Sequence, residues 1–282
     1  MTTVATIAET VKRAELTLAP HSESPRLDAE LLLATLLGLP RSALIARAAE
    51  PVAVRDENAY AELIAKRAGG TPVAYLTGNR EFWSLPLKVS PAVLVPRPET
   101  EILVEHALAL LPRDAHCSVL DLGTGSGAIA LSLAHERPHW AITAVDISRA
   151  ALDVAERNAK ALKLSRVQWR LGSWFEPVPA QRFHLIIANP PYIAANDPAL
   201  SALCAEPAAA LIAGASGLEA LAAIIAQAPA HLYAPGWLAL EHGIAQAPDV
   251  AQLLRQHGFD SIATYTDFSG RPRVTLGVHT QH

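Results

Sequence analysis

Only two cysteines, Cys117 and Cys204, occur in the 282 residues of the chain. So small a number rules out a disulfide scaffold. With no CxxC pair and no Cys/His cluster there is no zinc-ligand spacing either. Both thiols are read as reduced and buried, in a reducing compartment. Basic charge is scarce as well: 23 Lys and Arg against 27 Asp and Glu give a net charge of −4. A protein that coats nucleic acid phosphates needs a basic excess on some face, so that class is set aside. The eleven histidines show no HExxH or related spacing, and no metal is expected. No apolar run reaches the ~20 residues of a membrane-spanning helix. Met1–Ala8 lacks the basic run and apolar core of a secretory leader. These absences together predict a cytoplasmic protein with no membrane contact.

What remains is a chain able to build a core. At 51% hydrophobic and 18% charged residues it is far from disordered composition, and its length suits two domains. The first 75 residues read as helical. Ser24-Pro25 has the form of a helix start, with serine capping free N–H groups and proline in the first turn. Leu27, Leu31, Leu32 and Leu36 follow at helical spacing, and Gly38 with Pro40 ends the run. A further helix is predicted from Asp56 to Arg67, with Tyr60, Leu63 and Ile64 on one side. No catalytic cluster lies here, so this part is read as a docking or packing module. Residues 76–98 combine alternating apolar positions (Phe82, Leu85, Leu87, Val89) with prolines, which predicts a hairpin or extended connector.

From 99 to 282 strands and helices alternate. Strands are predicted at Val119–Leu122, Ile142–Val145, Val167–Leu171, Phe183–Ala188, Trp237–Glu241, Ser261–Tyr265 and Arg273–Val278. Helices are predicted over Ala128–His135, Ala150–Leu162 and Leu218–Ala228. Such a rhythm builds a mostly parallel sheet covered by helices on both faces. Ligands of such sheets bind beyond the carboxyl ends of the strands, at the switch point.

Two motifs fall at strand ends. Gly123-Thr124-Gly125-Ser126-Gly127 follows the first of these strands and opens a helix. Glycines permit unusual backbone angles and a close ligand approach, and the helix N-terminus offers free N–H groups. Asp146 ends the next strand, where a carboxylate can accept from both hydroxyls of a ribose. Gly123, Gly125 and Ala128 also satisfy the dinucleotide pattern, so this loop fits a nicotinamide enzyme as well as an S-adenosylmethionine enzyme. The second motif, Asn189-Pro190-Pro191-Tyr192, follows the apolar strand ending at Ala188. Prolines lack N–H groups and have locked φ angles, so the segment offers rigid carbonyls. The Asn189 side-chain oxygen and the Pro190 carbonyl can each accept one hydrogen of a planar –NH2 group, and Tyr192 can pack on its flat face. Asn-Pro is also a common turn former. Arg97, Glu99 and Glu101 read either as a cleft rim or as an acidic helix start. Glu241 reads as a supporting group at a strand end, and His184 as a satisfied core or edge residue.

With Val119–Ile129, Val145-Asp146 and Asn189–Tyr192 in view, the chain resembles class I S-adenosylmethionine-dependent methyltransferases of the amino-methylating type. More closely, it resembles the peptide chain release factor N(5)-glutamine methyltransferases (the PrmC/HemK family). The likeness extends to 26–32, 72–78, Arg80-Glu81-Phe82-Trp83, Pro96–Glu101, Glu206-Pro207, Glu241-His242-Gly243 and 270–274. It implies a Rossmann-like, mostly parallel seven-stranded sheet, a small N-terminal helical substrate-docking domain (1–75), a connector (76–98) and a methyltransferase domain (99–282). It implies S-adenosylmethionine as methyl donor, class 1 release factors as partners, a monomer, and no direct need for nucleic acid. Carried over by position, Gly123–Gly127 (Gly123, Thr124, Gly125, Ser126, Gly127) wraps the methionine end of the cofactor, Asp146 holds the ribose and Trp174 lies against the adenine. Asn189, Pro190, Pro191 and Tyr192 hold the glutamine side chain, with Asn189 touching the cofactor too. Ser173 and Ser216 stand where family members commonly carry acids. The expected reaction is direct in-line methyl transfer, driven by positioning and by acceptors that stabilise charge growing on the –NH2.

Four other readings are weighed, one of them a non-catalytic docking protein on the ribosome or release machinery with the helical domain as its working surface. A glutamine methylase acting on a ribosomal protein is the nearest. A DNA adenine N6-methyltransferase shares the tetrapeptide but wants a target-recognition region and a basic surface. A nicotinamide oxidoreductase gives the tetrapeptide no task.

Overall fold

The computed structural model describes residues 5–280. Residues 1–4, which open the stretch read above for a leader, lie outside the described residues, as do 281–282. The described residues divide into two compact units. One holds those up to Asn79 together with Ala202–Ala205, and the other holds Arg80–Ser201 and Glu206 onward.

The first unit contains α1 (Ile7–Leu18), α2 (Pro25–Leu37), α3 (Arg41–Ala46), α4 (Val54–Ala68) and α5 (Val73–Thr77). A reciprocal capping box starts α1: the Glu9 N–H donates to the Thr6 hydroxyl, and the Thr6 N–H donates to the Glu9 carboxylate at 2.8 Å. Ser24 departs from expectation. Its side chain makes no cap on α2, because its hydroxyl turns to the Asp28 carboxylate instead. The buried stripe of α2 is also shifted: Ala29, Leu32 and Leu33 are buried while Leu27 is exposed. Asp28 and Glu30 share that buried side, and each is matched by arginine, Arg67 for Asp28 and both Arg26 and Arg41 for Glu30. Gly38 ends the helix at φ +65°, a left-handed cap that a side chain disfavours. Tyr60 and Ile64 of α4 join the core, and the Tyr60 hydroxyl donates to the Ala29 carbonyl at 2.8 Å. Cys204 corrects another expectation: it is exposed, and only Cys117 is buried.

The second unit opens with a hairpin, β1 (Asn79–Phe82) and β2 (Leu85–Lys88). Its turn places Trp83 and Ser84 at positive φ, held there from outside: the Trp83 N–H donates to Glu101 and its indole N–H to Glu136. Then come α6 (Thr100–Leu110), β3 (Ser118–Leu122), α7 (Ala128–Glu136), β4 (Ala141–Asp146), α8 (Arg149–Ala161), β5 (Gln168–Leu171) and β6 (Phe183–Ala188). The chain ends with α9 (Glu219–Gln227), β7 (Leu232–Glu241), α10 (Ala247–Gln256), β8 (Phe259–Thr266) and β9 (Pro272–His279). Seven strands form one sheet in the order β5-β4-β3-β6-β7-β9-β8, and β9 alone runs antiparallel to the other six. Residues 119–122 of β3 and 185–188 of β6 are wholly buried, as strands covered on both faces must be. From β3 the chain steps outward to β5 and then returns to lay β6 on the other side of β3. That reversal is the switch point at which such sheets take ligands. No helix among the described residues is long and apolar enough to cross a membrane.

Candidate active site

The register of the sheet brings the two motifs together. Leu122 at the end of β3 pairs with Ala188 at the end of β6 and with Val145 of β4. Gly123, Asp146 and Asn189 therefore leave three adjacent strand tips side by side. The glycine turn is pinned to β4 by the Gly123 and Thr124 N–H groups, both donating to the Val145 carbonyl at 2.9 and 3.0 Å. Gly123, Gly125 and Gly127 all take positive φ. Their surroundings differ. A Cβ on Gly125 would meet nothing within 4 Å, whereas one on Gly127 would press on Leu131, Ala155 and Trp169 at 3.1–3.2 Å. Gly125 thus leaves open space for a ligand, a Cβ on Gly123 would touch the Trp174 ring at 3.6 Å, and Gly127 lets α8 and β5 pack closely against the start of α7.

Two carboxylates flank this turn. Asp146 accepts from the Gly125 N–H and the Ser148 N–H, both at 2.8 Å. Burial still raises its pKa above the ordinary value, against those hydrogen bonds. A carboxylate has about four acceptor sites, so Asp146 keeps capacity for further donors. Asp121 is fully buried and pushed up to about 7, chiefly by desolvation and in smaller part by the nearby Asp146 charge. Its Oδ2 accepts from the Thr124 hydroxyl at 2.7 Å and the Ala130 N–H at 3.2 Å, and its Oδ1 has no partner. A stability prediction follows from the sign. The unfolded chain releases this proton near the ordinary value of 3.8, whereas the native state holds it to about 7. In that window the native state binds more protons, so Asp121 makes stability fall as pH rises through it. Asp121→Asn should flatten that fall in urea denaturation curves taken across the window; parallel wild-type and variant curves would reject the assignment.

At the tip of β6, the Asn189 side-chain N–H2 donates to the Thr100 hydroxyl at 3.1 Å, which leaves the Asn189 Oδ1 as a free acceptor. Pro190 is buried, and Tyr192 packs on the core with its hydroxyl donating to Glu241 Oε1 at 3.5 Å. Gln246 clamps the outgoing chain by donating to the carbonyls of Tyr192 and Gly217 at 3.0 and 3.1 Å. Burial pushes the Tyr192 phenol up, and Glu241, 1% exposed, is pushed up to about 7 by the same cause.

A cavity of about 440 Å³ runs along these tips, within the range of small-molecule sites. Gly123–Ser126, Asp146, Ser173, Trp174, Asn189 and Pro191 line it, together with Ala92–Leu94, Pro96 and Arg97. Gly127, Pro190 and Tyr192 stand behind the lining rather than in it. Of the acids and bases considered earlier, Arg97 reaches the cavity wall, where it pairs with the buried Glu206. Glu206 also accepts from the Val95 N–H at 3.0 Å and so fixes this wall. Glu101 instead anchors the hairpin turn through Trp83. His184, half-buried near the start of the interior strand β6, accepts the Ser118 N–H at 3.0 Å. Ser216 is exposed, away from the cavity, and its hydroxyl accepts from the Leu218 N–H. Sequence reasoning places Thr100 and Glu206 only within the resemblance, with no role, and misses Asn158. Asn158, 1% exposed, joins the Lys88 backbone to the Ser126 carbonyl beneath the glycine turn.

The residues present fit an adenosyl cofactor on this chain's own terms: an open glycine cradle, a carboxylate with spare acceptor sites at the next strand tip, and an indole at the cavity wall. Sheet order, switch-point cavity and strand-end motifs together define a class I methyltransferase. Comparison with known proteins agrees. Residues 98–215 match the methyltransferase small domain, and residues 9–78 match the PrmC N-terminal domain. A methyltransferase from Pyrococcus furiosus shares the fold, with a TM-score of 0.55 at 17% identity, over 70% of this chain and 90% of that one. The release factor glutamine methyltransferase of Pseudomonas aeruginosa is 48% identical over 98% of this chain and 99% of its own length. That of Yersinia pestis is 50% identical over 91% and 93%. The chain belongs to the release factor glutamine methyltransferase family, and it is an enzyme of the methyltransferase class.

Proposed function

We propose that this enzyme transfers a methyl group from S-adenosylmethionine to the side-chain amide nitrogen of the glutamine in the Gly-Gly-Gln motif of class 1 release factors. The observation that carries the chemistry is the pairing of Leu122 with Ala188, which sets the glycine turn and Asn189 on neighbouring tips of one cavity. The names of the relatives supply the protein substrate. In this reading the helical segment to about residue 75 docks the release factor, 76–98 connects, and the remainder performs the reaction.

When bound, S-adenosylmethionine supplies a methyl group activated on a sulfonium centre. Asp146 accepts the ribose hydroxyls, Gly123–Gly127 cradle the amino-acid end, and Trp174 covers the adenine. An amide nitrogen is a weak nucleophile, because its lone pair is delocalised into the carbonyl. Asn189 Oδ1 and the Pro190 carbonyl accept its two hydrogens, turn the lone pair into the cavity and stabilise the positive charge that grows there. Pro191 borders the flat amide from the cavity wall, and Tyr192 supports that wall from behind. Alignment of this kind is worth ~7–11 kcal/mol in well-oriented reactions. The methylated nitrogen is strongly acidic and releases one proton to water, so no tuned base is required.

Incubation of the purified enzyme with labelled cofactor and a release factor, followed by mass spectrometry of the product, tests this reading. The expected result is one methyl group on the glutamine of the Gly-Gly-Gln loop. A label on another residue, or none, would overturn it.

A further inference from the structure

The Asn189 side chain has two ends of nearly the same shape, and only one of them is useful to an amide substrate. Its oxygen must face the –NH2 group. The N–H2 end donates to the Thr100 hydroxyl at 3.1 Å, but a hydroxyl can donate as readily as it accepts. Thr100 alone would therefore satisfy Asn189 in either orientation. What breaks the tie is the destination of the single Thr100 proton.

Glu241 supplies that destination. It ends β7, one step beyond the Leu240 that pairs with Ala188, so it stands beside Asn189 on the next strand tip. Its carboxyl group is buried, and the Thr100 and Tyr192 hydroxyls both face it. Arg273 favours its charged form and Glu99 opposes it. Its Oε2 has no hydrogen-bond partner of good geometry. Above pH 7 the Glu241 carboxyl is ionised, and an ionised carboxylate only accepts. It draws the Thr100 proton toward itself, and the lone pairs of the Thr100 oxygen are left to face Asn189.

We propose that Glu241, acting through Thr100, is a positioning pair that fixes the Asn189 amide with its oxygen toward the cavity, and so makes the site select an amide over a carboxylate. The proposal rests on the amide-methylation reading above. A site with the Asn189 oxygen outward accepts from glutamine and repels glutamate. A site with the N–H2 end outward would do the reverse. Such a change of preference is not what a merely loosened fold produces, since loosening weakens both ligands alike.

The test is calorimetric binding, at a pH well above 7 where Glu241 is ionised, of two short peptides, one carrying glutamine and the other glutamate in its place, to the full chain saturated with S-adenosylhomocysteine. Wild type should favour the glutamine peptide by about tenfold or more, as expected where a site is built to pair with an N–H group. Glu241→Gln puts a donor as well as an acceptor behind Thr100, and Thr100→Val removes the hydroxyl at constant shape. In both, the preference should fall toward unity, and Thr100→Ser should restore it. Should Thr100→Val fail to fold, Glu241→Gln, nearly isosteric, decides alone. A preference unchanged in Glu241→Gln overturns the proposal. A wild type that does not distinguish the peptides overturns it at its premise, and the labelled-glutamine assay then judges the methylation reading separately.

Discussion

Asn189→Ala is expected to lower turnover at saturating cofactor by about 10²–10³-fold, the range found when one preorganised polar group is removed from a charge-developing transition state. Charge grows here on the amide nitrogen, so the matching device is an acceptor rather than a donor. The variant removes one of two acceptors and leaves the Pro190 carbonyl in place. It should spare the fold, because Asn189 is half-buried and gives up a single hydrogen bond, that to Thr100. Cofactor affinity should change far less than turnover, since the glycine turn and Asp146 are held by other contacts. Steady-state kinetics with either substrate varied, beside calorimetry with S-adenosylhomocysteine, separates the two. Turnover within a few-fold of wild type would remove Asn189 from the reaction.

Asp146→Ala is expected to act on binding instead. Hydrogen bonds to a charged group contribute roughly 1.5–3 kcal/mol each. Losing those to two ribose hydroxyls should weaken cofactor binding by about 10²-fold or more, at 1.4 kcal/mol per factor of ten. A second loss is built into the fold. The Gly125 and Ser148 N–H groups both end on this carboxylate, and a buried donor left unpaired costs about 1–3 kcal/mol. The variant should therefore melt earlier as well as bind less. Asp146→Asn keeps an acceptor for one of these N–H groups and should recover part of the stability but little of the affinity. Calorimetry and thermal melts report the two quantities, and an unchanged dissociation constant would refute the ribose role.

The parts of the site that could be read from sequence are those in which local order carries the meaning. A strand, a glycine turn and a helix follow one another in Val119–His135, and Asp146 and Asn189 stand directly after apolar strands. Each signal is complete within a few residues. The groups left without a role act across long separations: Thr100 reaches Asn189 from 89 residues away, Glu206 reaches Val95 from 111, and Asn158 reaches Lys88 from 70. Nothing local to a threonine at a helix start or an asparagine on a helix marks it as a partner of a strand tip. The smaller errors have local causes. Ser24 matched a cap pattern, but Asp28 competes for its hydroxyl. The sequence reading began β7 at Trp237, because Pro235 hid the earlier residues from Leu232 onward. Cys204 was assigned to the interior by residue type alone, and a type preference says nothing about one position.

The proposed reaction requires adjacent tips of β3 and β6 to bring a bound cofactor and a flat amide into reacting distance. A crystal structure of the complex with S-adenosylhomocysteine and a Gly-Gly-Gln peptide tests it most directly. The glutamine nitrogen is expected within about 3 Å of both Asn189 Oδ1 and the Pro190 carbonyl, facing the sulfur across the cavity. A glutamine side chain held anywhere else, with the Asn189 oxygen turned from it, would rule out transfer at these two strand tips.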